Sequence, residues 1–136
     1  MAAACFAGLR YFAIIFTFAF AMGVARALVI APRLGEMTAV LLEVPIIVAA
    51  SWAVARHLLK DRFFTIAQRS AMGATAFILL MCCEAILANI LRGQTISEWA
   101  SELATPIGLI GLVGQLAFAV IPIFAGRSPR RDALDN

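Results

Sequence analysis

The sequence predicts an all-α integral membrane protein with four transmembrane helices in an antiparallel bundle and a short interfacial helix before the fourth. Its 136 residues are 63% hydrophobic and only 14% charged, whereas soluble domains are roughly 45–50% apolar and about 25% charged. A soluble domain of this length leaves roughly 30% of its unfolded surface exposed, and these polar residues are too few to cover it. Apolar runs of about 20 residues, the length that crosses the hydrocarbon core, occur four times.

The four apolar runs give the predicted helices directly, at about 10–31, 36–59, 68–91 and 105–125. The first run ends at Pro32, where "APRLG" is typical of a turn. Pro45 and Pro122 lie inside predicted helices, and we expect them to bend the chain. Arg10 before the first run and "ARA" at 25–27 resemble a secretory signal peptide. Because the run continues through "LVIA", we expect the segment to be retained, with cleavage as the open alternative.

The connection "GQTISEWASELATP" has a pattern of its own. Thr95 and Glu98 have the spacing of a capping box, which predicts a short helix over about 95–103. Its apolar residues share one face, and Glu98 and Glu102 fall on the wetter side. A helix of this kind lies in the outer membrane interface with Trp99 as its anchor. An ordinary polar loop is the alternative.

Basic residues indicate the orientation of the chain. With the N-terminus in the cytoplasm, eight basic residues fall on that side and three on the other, which is the asymmetry expected of cytoplasmic termini. Residues 127–136 are predicted to form a disordered cytoplasmic tail. Ten of the eleven basic residues are arginine, which is typical of a GC-rich bacterial genome.

Three charged residues interrupt the apolar runs at a similar depth. At 1.5 Å per residue, Arg26, Glu43 and Glu84 lie roughly 9, 10 and 12 Å from the outer ends of their helices. Each costs about 2.5–3.5 kcal/mol at a helix centre, so we expect them to face inward, where Arg26 forms charge-assisted hydrogen bonds with one or both carboxylates. The predicted polar site therefore contains these three residues, with three further members at its edge: Glu36, Asn89 and Gln115.

Small and aromatic residues recur on the same helices. Ala19, Gly23 and Ala27 form a row that permits close approach to a neighbouring helix. In the fourth helix a glycine recurs every third residue, at Gly108, Gly111 and Gly114. The stripe of Phe12, Phe16 and Phe20 is interpreted as packing or lipid contact rather than as part of a ligand site.

The residues that would carry familiar chemistry do not assemble. Cys5, Cys82 and Cys83 form no C-x-x-C motif and are interpreted as small apolar residues. His57 stands alone, whereas a zinc site needs several clustered ligands. We therefore expect no metal, no cofactor and no catalytic residue. Since the basic residues lie in short segments between apolar runs, we also expect no nucleic-acid partner.

The function classes that remain differ in what the polar site is for. An outward-facing site that binds or translocates a small ligand, a proton or a cation is the leading hypothesis, because ionisable residues within a membrane are usually functional. The alternative is a non-catalytic accessory or structural subunit of a membrane complex, in which the charges only fix helix packing. An enzyme remains open but less favoured. The lipid bilayer is the expected partner, and a homo-oligomer and a larger membrane complex are both open.

The layout of the first two helices resembles a known kind of protein. "RLGE" joins them and "LLEVP" follows, an arrangement similar to uncharacterised small four-span proteins of the bacterial inner membrane. This resemblance implies the four-helix architecture and assigns a role to no residue.

Overall fold

The structure, a computed structural model, describes residues 1–126, so the tail predicted at 127–136 lies outside the described residues. Within them the chain is all-helical, without strands, and has five helices. Four of these are long and apolar enough to cross a membrane. The helices are α1 (Ala2–Leu34), α2 (Glu36–Leu59), α3 (Ile66–Arg92), α4 (Ile96–Leu103) and α5 (Pro106–Ala125).

Helix α1 begins at Ala2, whereas the apolar pattern places its start near residue 10. The added segment, "AAACFAGL", is rich in alanine, the strongest helix former. It is also packed, because Ala4 and Ala7 are buried and a Cβ at Gly8 would lie 2.5 Å from the carbonyl oxygen of Met72. Close contact with α3 therefore extends the helix beyond the apolar run.

The end of α1 contains a π-helical turn over Arg26–Ile30. The backbone N–H of Ala31 donates to the carbonyl of Arg26, five residues earlier. A proline ring normally collides with the carbonyl four residues before it, and the wider turn lies where Pro32 would cause that collision. The helix therefore continues through Pro32 instead of ending there, and it stops at Gly35, whose φ of 80° suits a glycine.

The long helices form a ring in which chain neighbours are not always spatial neighbours. Helix α1 packs against α2 and α3, and α5 packs against the same two helices. The consecutive helices α2 and α3 thus lie diagonally opposite each other. Helices α3 and α5 approach very closely at Gly73, where a Cβ would overlap the carbonyl of Ala119.

At one end of the long helices, the space inside this ring is filled by a hydrophobic core. Tyr11 is fully buried there: its hydroxyl donates to the carbonyl of Phe118 at 3.1 Å, and the two rings stack at 4.5 Å between centroids. Arg69, which sequence analysis counts only as an orientation signal, is buried beside them. Its guanidinium donates to the carbonyls of Ile123 and Gly126 at 3.3 and 2.9 Å, so it stabilises the C-terminal end of α5.

Side-chain caps fix where the shorter elements begin. In the predicted capping box of α4, the backbone N–H of Glu98 donates to the Thr95 hydroxyl at 3.3 Å. The backbone N–H of Thr95 donates to the Glu98 carboxylate at 2.8 Å. Hydrogen bonds from the backbone and hydroxyl of Thr95 hold the pKa of Glu98 below its ordinary value. A second capping box, between Thr65 and Gln68, starts α3 two residues earlier than its apolar pattern indicates.

Candidate functional site

A cavity of about 580 Å³ lies between the helices, at the opposite end from the hydrophobic core. All five helices line it: α1 and α3 contribute mainly their C-terminal parts, and α2 and α5 their N-terminal parts. The cavity is partly open to the surface of the protein. Its charged lining residues are Arg26, Arg92, Glu36, Glu43, Glu84 and Glu102.

Arg26 lies against two carboxylates of α2. Its Nε is 2.7 Å from Oε2 of Glu43, and its Nη1 is 3.6 Å from Oε1 of Glu36. The shorter contact is an ion pair, but the Nε–H of Arg26 is not aligned for a hydrogen bond. The Glu43 side chain is only 11% exposed, whereas that of Glu36 is 64% exposed. Glu43 is thus the inner partner and Glu36 stands at the rim. Arg26 is also the first residue of the π turn, a feature frequent at functional sites.

Glu84 forms a separate pair on the other side of the cavity. The Nε2 of Gln115 donates to its two carboxylate oxygens at 2.8 and 2.7 Å. Within residues 1–126, no ion pair joins Glu84 to Arg26. Of the two carboxylates predicted as partners of Arg26, one or both, Glu43 is therefore the one that it contacts. The reason is the helix arrangement, since Arg26 and Glu43 join α1 to α2, Glu84 and Gln115 join α3 to α5, and the cavity separates the pairs.

A third polar group, which sequence analysis missed, lies where α4 meets α3. Arg92 donates to the Glu102 carboxylate at 2.9 Å, and the Gln94 side-chain amide donates to the same carboxylate. Sequence analysis assigns Glu102 to the wetter side of α4, but Glu102 lines the cavity because these two donors bind it. The detectable signal was its position ten residues after Arg92, on a helix short enough to fold back.

Asn89 is not among the lining residues of the cavity. Its Nδ2 donates to the backbone carbonyl of Gln94 at 3.0 Å, so it stabilises the turn that follows α3. The position of Asn89 along its helix carried no information about which way the side chain faces.

The aromatic stripe of α1 forms one wall of the cavity. Phe12, Phe16 and Phe20 all line it, and their ring centroids are 5.1 and 6.4 Å apart in succession. The interpretation as packing or lipid contact is therefore incomplete, because these rings also face the cavity.

The small residues help to create the empty space. Gly23 lines the cavity beside Glu43, and a Cβ there would lie 3.8 Å from the carboxylate. A Cβ at Gly111 would meet no atom within 4 Å, whereas one at Gly114 would lie 2.8 Å from Val44. Of the glycines at 108, 111 and 114, two therefore permit close packing, and Gly111 leaves open volume.

Metal-type ligands do not gather in the described part of the chain. Residues 1–126 contain no group of three His, Cys, Asp or Glu side chains that could hold a metal ion. Cys5, Cys82 and Cys83 are free thiols.

Comparison with known proteins adds no relative: no family model, no curated protein and no solved structure matches the chain. The described residues define the class by themselves. They form an all-helical protein with four helices of membrane-spanning length and apolarity around a mainly apolar cavity that carries six charged side chains.

Proposed function

We propose that the chain is a multi-pass protein of the bacterial inner membrane, with its four long helices inserted as an antiparallel bundle. Supporting this, large apolar side chains are exposed on all four of these helices. Large apolar side chains exposed on every long helix are expected of a protein whose exterior is covered by lipid. The bias of basic residues supports cytoplasmic termini, and this orientation opens the cavity toward the outer half of the bilayer, with α4 in the outer interface.

The function proposed for the cavity is to bind, and in a transport cycle to translocate, a small ligand, a proton or a cation. The observation that carries this is the combination of volume, access and lining. A cavity of about 580 Å³ lies within the range of about 300–1,000 Å³ typical of small-molecule sites. Apolar walls with a few convergent polar groups are also typical of such sites. Charges that served only helix packing would need no open volume between them.

An accessory or structural subunit remains the second candidate, because each polar pair joins two helices. Arg26 with Glu43 links α1 to α2, and Gln115 with Glu84 links α3 to α5. Such pairs fix helix register. The two functions differ in whether the space between the pairs is accessible to water.

Cysteine labelling in intact cells distinguishes the two functions. The three native cysteines are first replaced by serine, and Gly111→Cys is then introduced, because a side chain there enters open space. A membrane-impermeant thiol reagent added from outside should modify this cysteine. The matched control is Ala76→Cys, whose position is fully buried in the core and should not react. If Gly111→Cys is as unreactive as the control, the cavity is closed and the structural role is favoured.

A further inference from the structure

The charges that line the cavity do not balance. Two arginines and four glutamates leave a formal charge of −2: Arg26 and Arg92 against Glu36, Glu43, Glu84 and Glu102. These six residues come from four of the five helices, so the imbalance belongs to the cavity as a whole and not to one acidic segment.

Both guanidinium groups are already in contact with carboxylates. Arg26 meets Glu43 and Glu36, and Arg92 meets Glu102. An anionic ligand would have to displace one of these carboxylates from its arginine. Glu84 differs from them, because the partner that binds both of its oxygens is the neutral amide of Gln115. It is therefore the carboxylate best placed to take a positive charge from a ligand.

The aromatic wall is compatible with the same sign of charge. A cation that lies over the face of a phenylalanine ring within about 6 Å is attracted by it, and Phe12, Phe16 and Phe20 all line the cavity. The same rings offer apolar area to a hydrophobic body, as do Leu80 and Leu87 of α3. A small hydrated inorganic cation would gain little from such walls, whereas an organic cation uses both the charge and the area.

We propose that the cavity binds a lipophilic organic cation, with its positive centre near Glu84 and its apolar body against the phenylalanine wall of α1. This proposal rests on the proposed binding function and narrows it to one ligand class. The volume of about 580 Å³ suits a drug-sized molecule.

Two probes of nearly the same shape and opposite charge test the ligand class. Tetraphenylphosphonium is a lipophilic cation, and tetraphenylborate is the corresponding anion. Trp99 lines the cavity and Trp52 does not, so in the full chain carrying Trp52→Phe the emission reports on the cavity. In nanodiscs of zwitterionic lipid, tetraphenylphosphonium should change this emission saturably, after subtraction of the signal from tryptophan added to empty nanodiscs. Tetraphenylborate should bind at least about tenfold more weakly, a difference of one strong charge interaction.

Variants then locate the positive centre. Glu84→Gln should weaken tetraphenylphosphonium binding by roughly tenfold, the effect of one charge-assisted contact. Asp61→Asn is the matched control, because Asp61 is an exposed acid after the C-terminal end of α2 and does not line the cavity; it should leave the affinity unchanged. If Glu84→Gln fails to fold, Glu36→Gln at the exposed rim should still weaken binding measurably.

The possible results separate the two proposals. Equal or tighter binding of tetraphenylborate, or full affinity in a folded Glu84→Gln protein, overturns the proposal while leaving a binding cavity; if Glu84→Gln does not fold, full affinity in the Glu36→Gln protein does the same. Absence of a saturable signal with either probe overturns the cation proposal too. If Gly111→Cys is then also unreactive, the binding function fails with it, whereas a reactive Gly111→Cys confines the failure to the ligand class.

Discussion

Arg26→Ala should destabilise the protein more than the same substitution combined with Glu43→Gln. Removing the guanidinium leaves Glu43 as a buried carboxylate whose 2.7 Å contact is lost. A neutral glutamine in its place removes that uncompensated charge, so the double variant should recover part of the loss. Glu36 should not compensate for the lost arginine, because it is a second acid that contacts the same guanidinium.

The expected size of this recovery follows from the geometry. At 2.7 Å and an effective dielectric constant of about 20, the Coulomb attraction is about 6 kcal/mol. Desolvation of both groups offsets most of it. The side chains are 27% and 11% exposed, so solvent screening weakens the pair further but does not remove the interaction. We expect a coupling free energy of about 1–3 kcal/mol between Arg26 and Glu43, within the range measured for residues in contact.

The matched control is Arg26→Ala combined with Glu84→Gln. It makes the same change of charge in the same cavity, but Glu84 is bound by Gln115 and not by Arg26. Its effects should add within about 0.5 kcal/mol. The free energies of unfolding are measured in mild detergent titrated with sodium dodecyl sulfate. Equal coupling in both doubles would refute the separation into two pairs and restore one shared cluster. Additivity in both would mean that Arg26 couples to neither acid.

Gly73→Ala should lower the free energy of unfolding by about 1–3 kcal/mol, because its Cβ would overlap the α5 backbone. Gly111→Ala enters open space and should be neutral or stabilising by up to about 1 kcal/mol. Equal losses in the two variants would contradict the close approach of α3 to α5. A reporter fused at the C-terminus should be active only in the cytoplasm, and one inserted at Gln94 only outside, with the reverse pattern overturning the orientation. The pKa of Glu98 is lowered in the folded protein, so its stabilisation of α4 should be present above the ordinary glutamate range, about pH 4, and be lost as the pH falls through the lowered value. Emission from Trp99 on the same helix should report this loss, and Glu98→Gln should abolish the pH dependence; an unchanged profile would show that the cap does not stabilise α4.

Sequence analysis was most informative where a local rule governs the chain. Hydropathy alone indicates the four long helices, since each run must satisfy its own backbone in a helix when no water is available. The capping box at Thr95 and Glu98 is equally local, because it depends on groups three residues apart. By contrast, no local rule indicated the π turn at Arg26. The proline by itself suggested that the helix ends at Pro32.

Depth along the helices indicated Arg26, Glu43 and Glu84 as members of one polar site, but it did not indicate how they pair. Residues at one depth can face any of several directions, and a rotation of about 100° per residue separates them. The helix ring decides the outcome: with α2 and α3 on opposite corners, Glu43 faces Arg26, and Glu84 faces Gln115. Glu102 joins the lining only because Arg92 and Gln94 hold it there.

The sequence by itself determined that four apolar helices and a capped short helix exist, because hydrophobic length and hydrogen bonds across a few residues are properties of the local chain. Only the tertiary structure decided that the space between the helices is filled at one end and hollow at the other. The filled end depends on contacts between distant residues, such as Tyr11 with Phe118 and Gly73 with Ala119. The cavity is what remains between helices when such contacts hold them together at the other end, and no single segment encodes that volume.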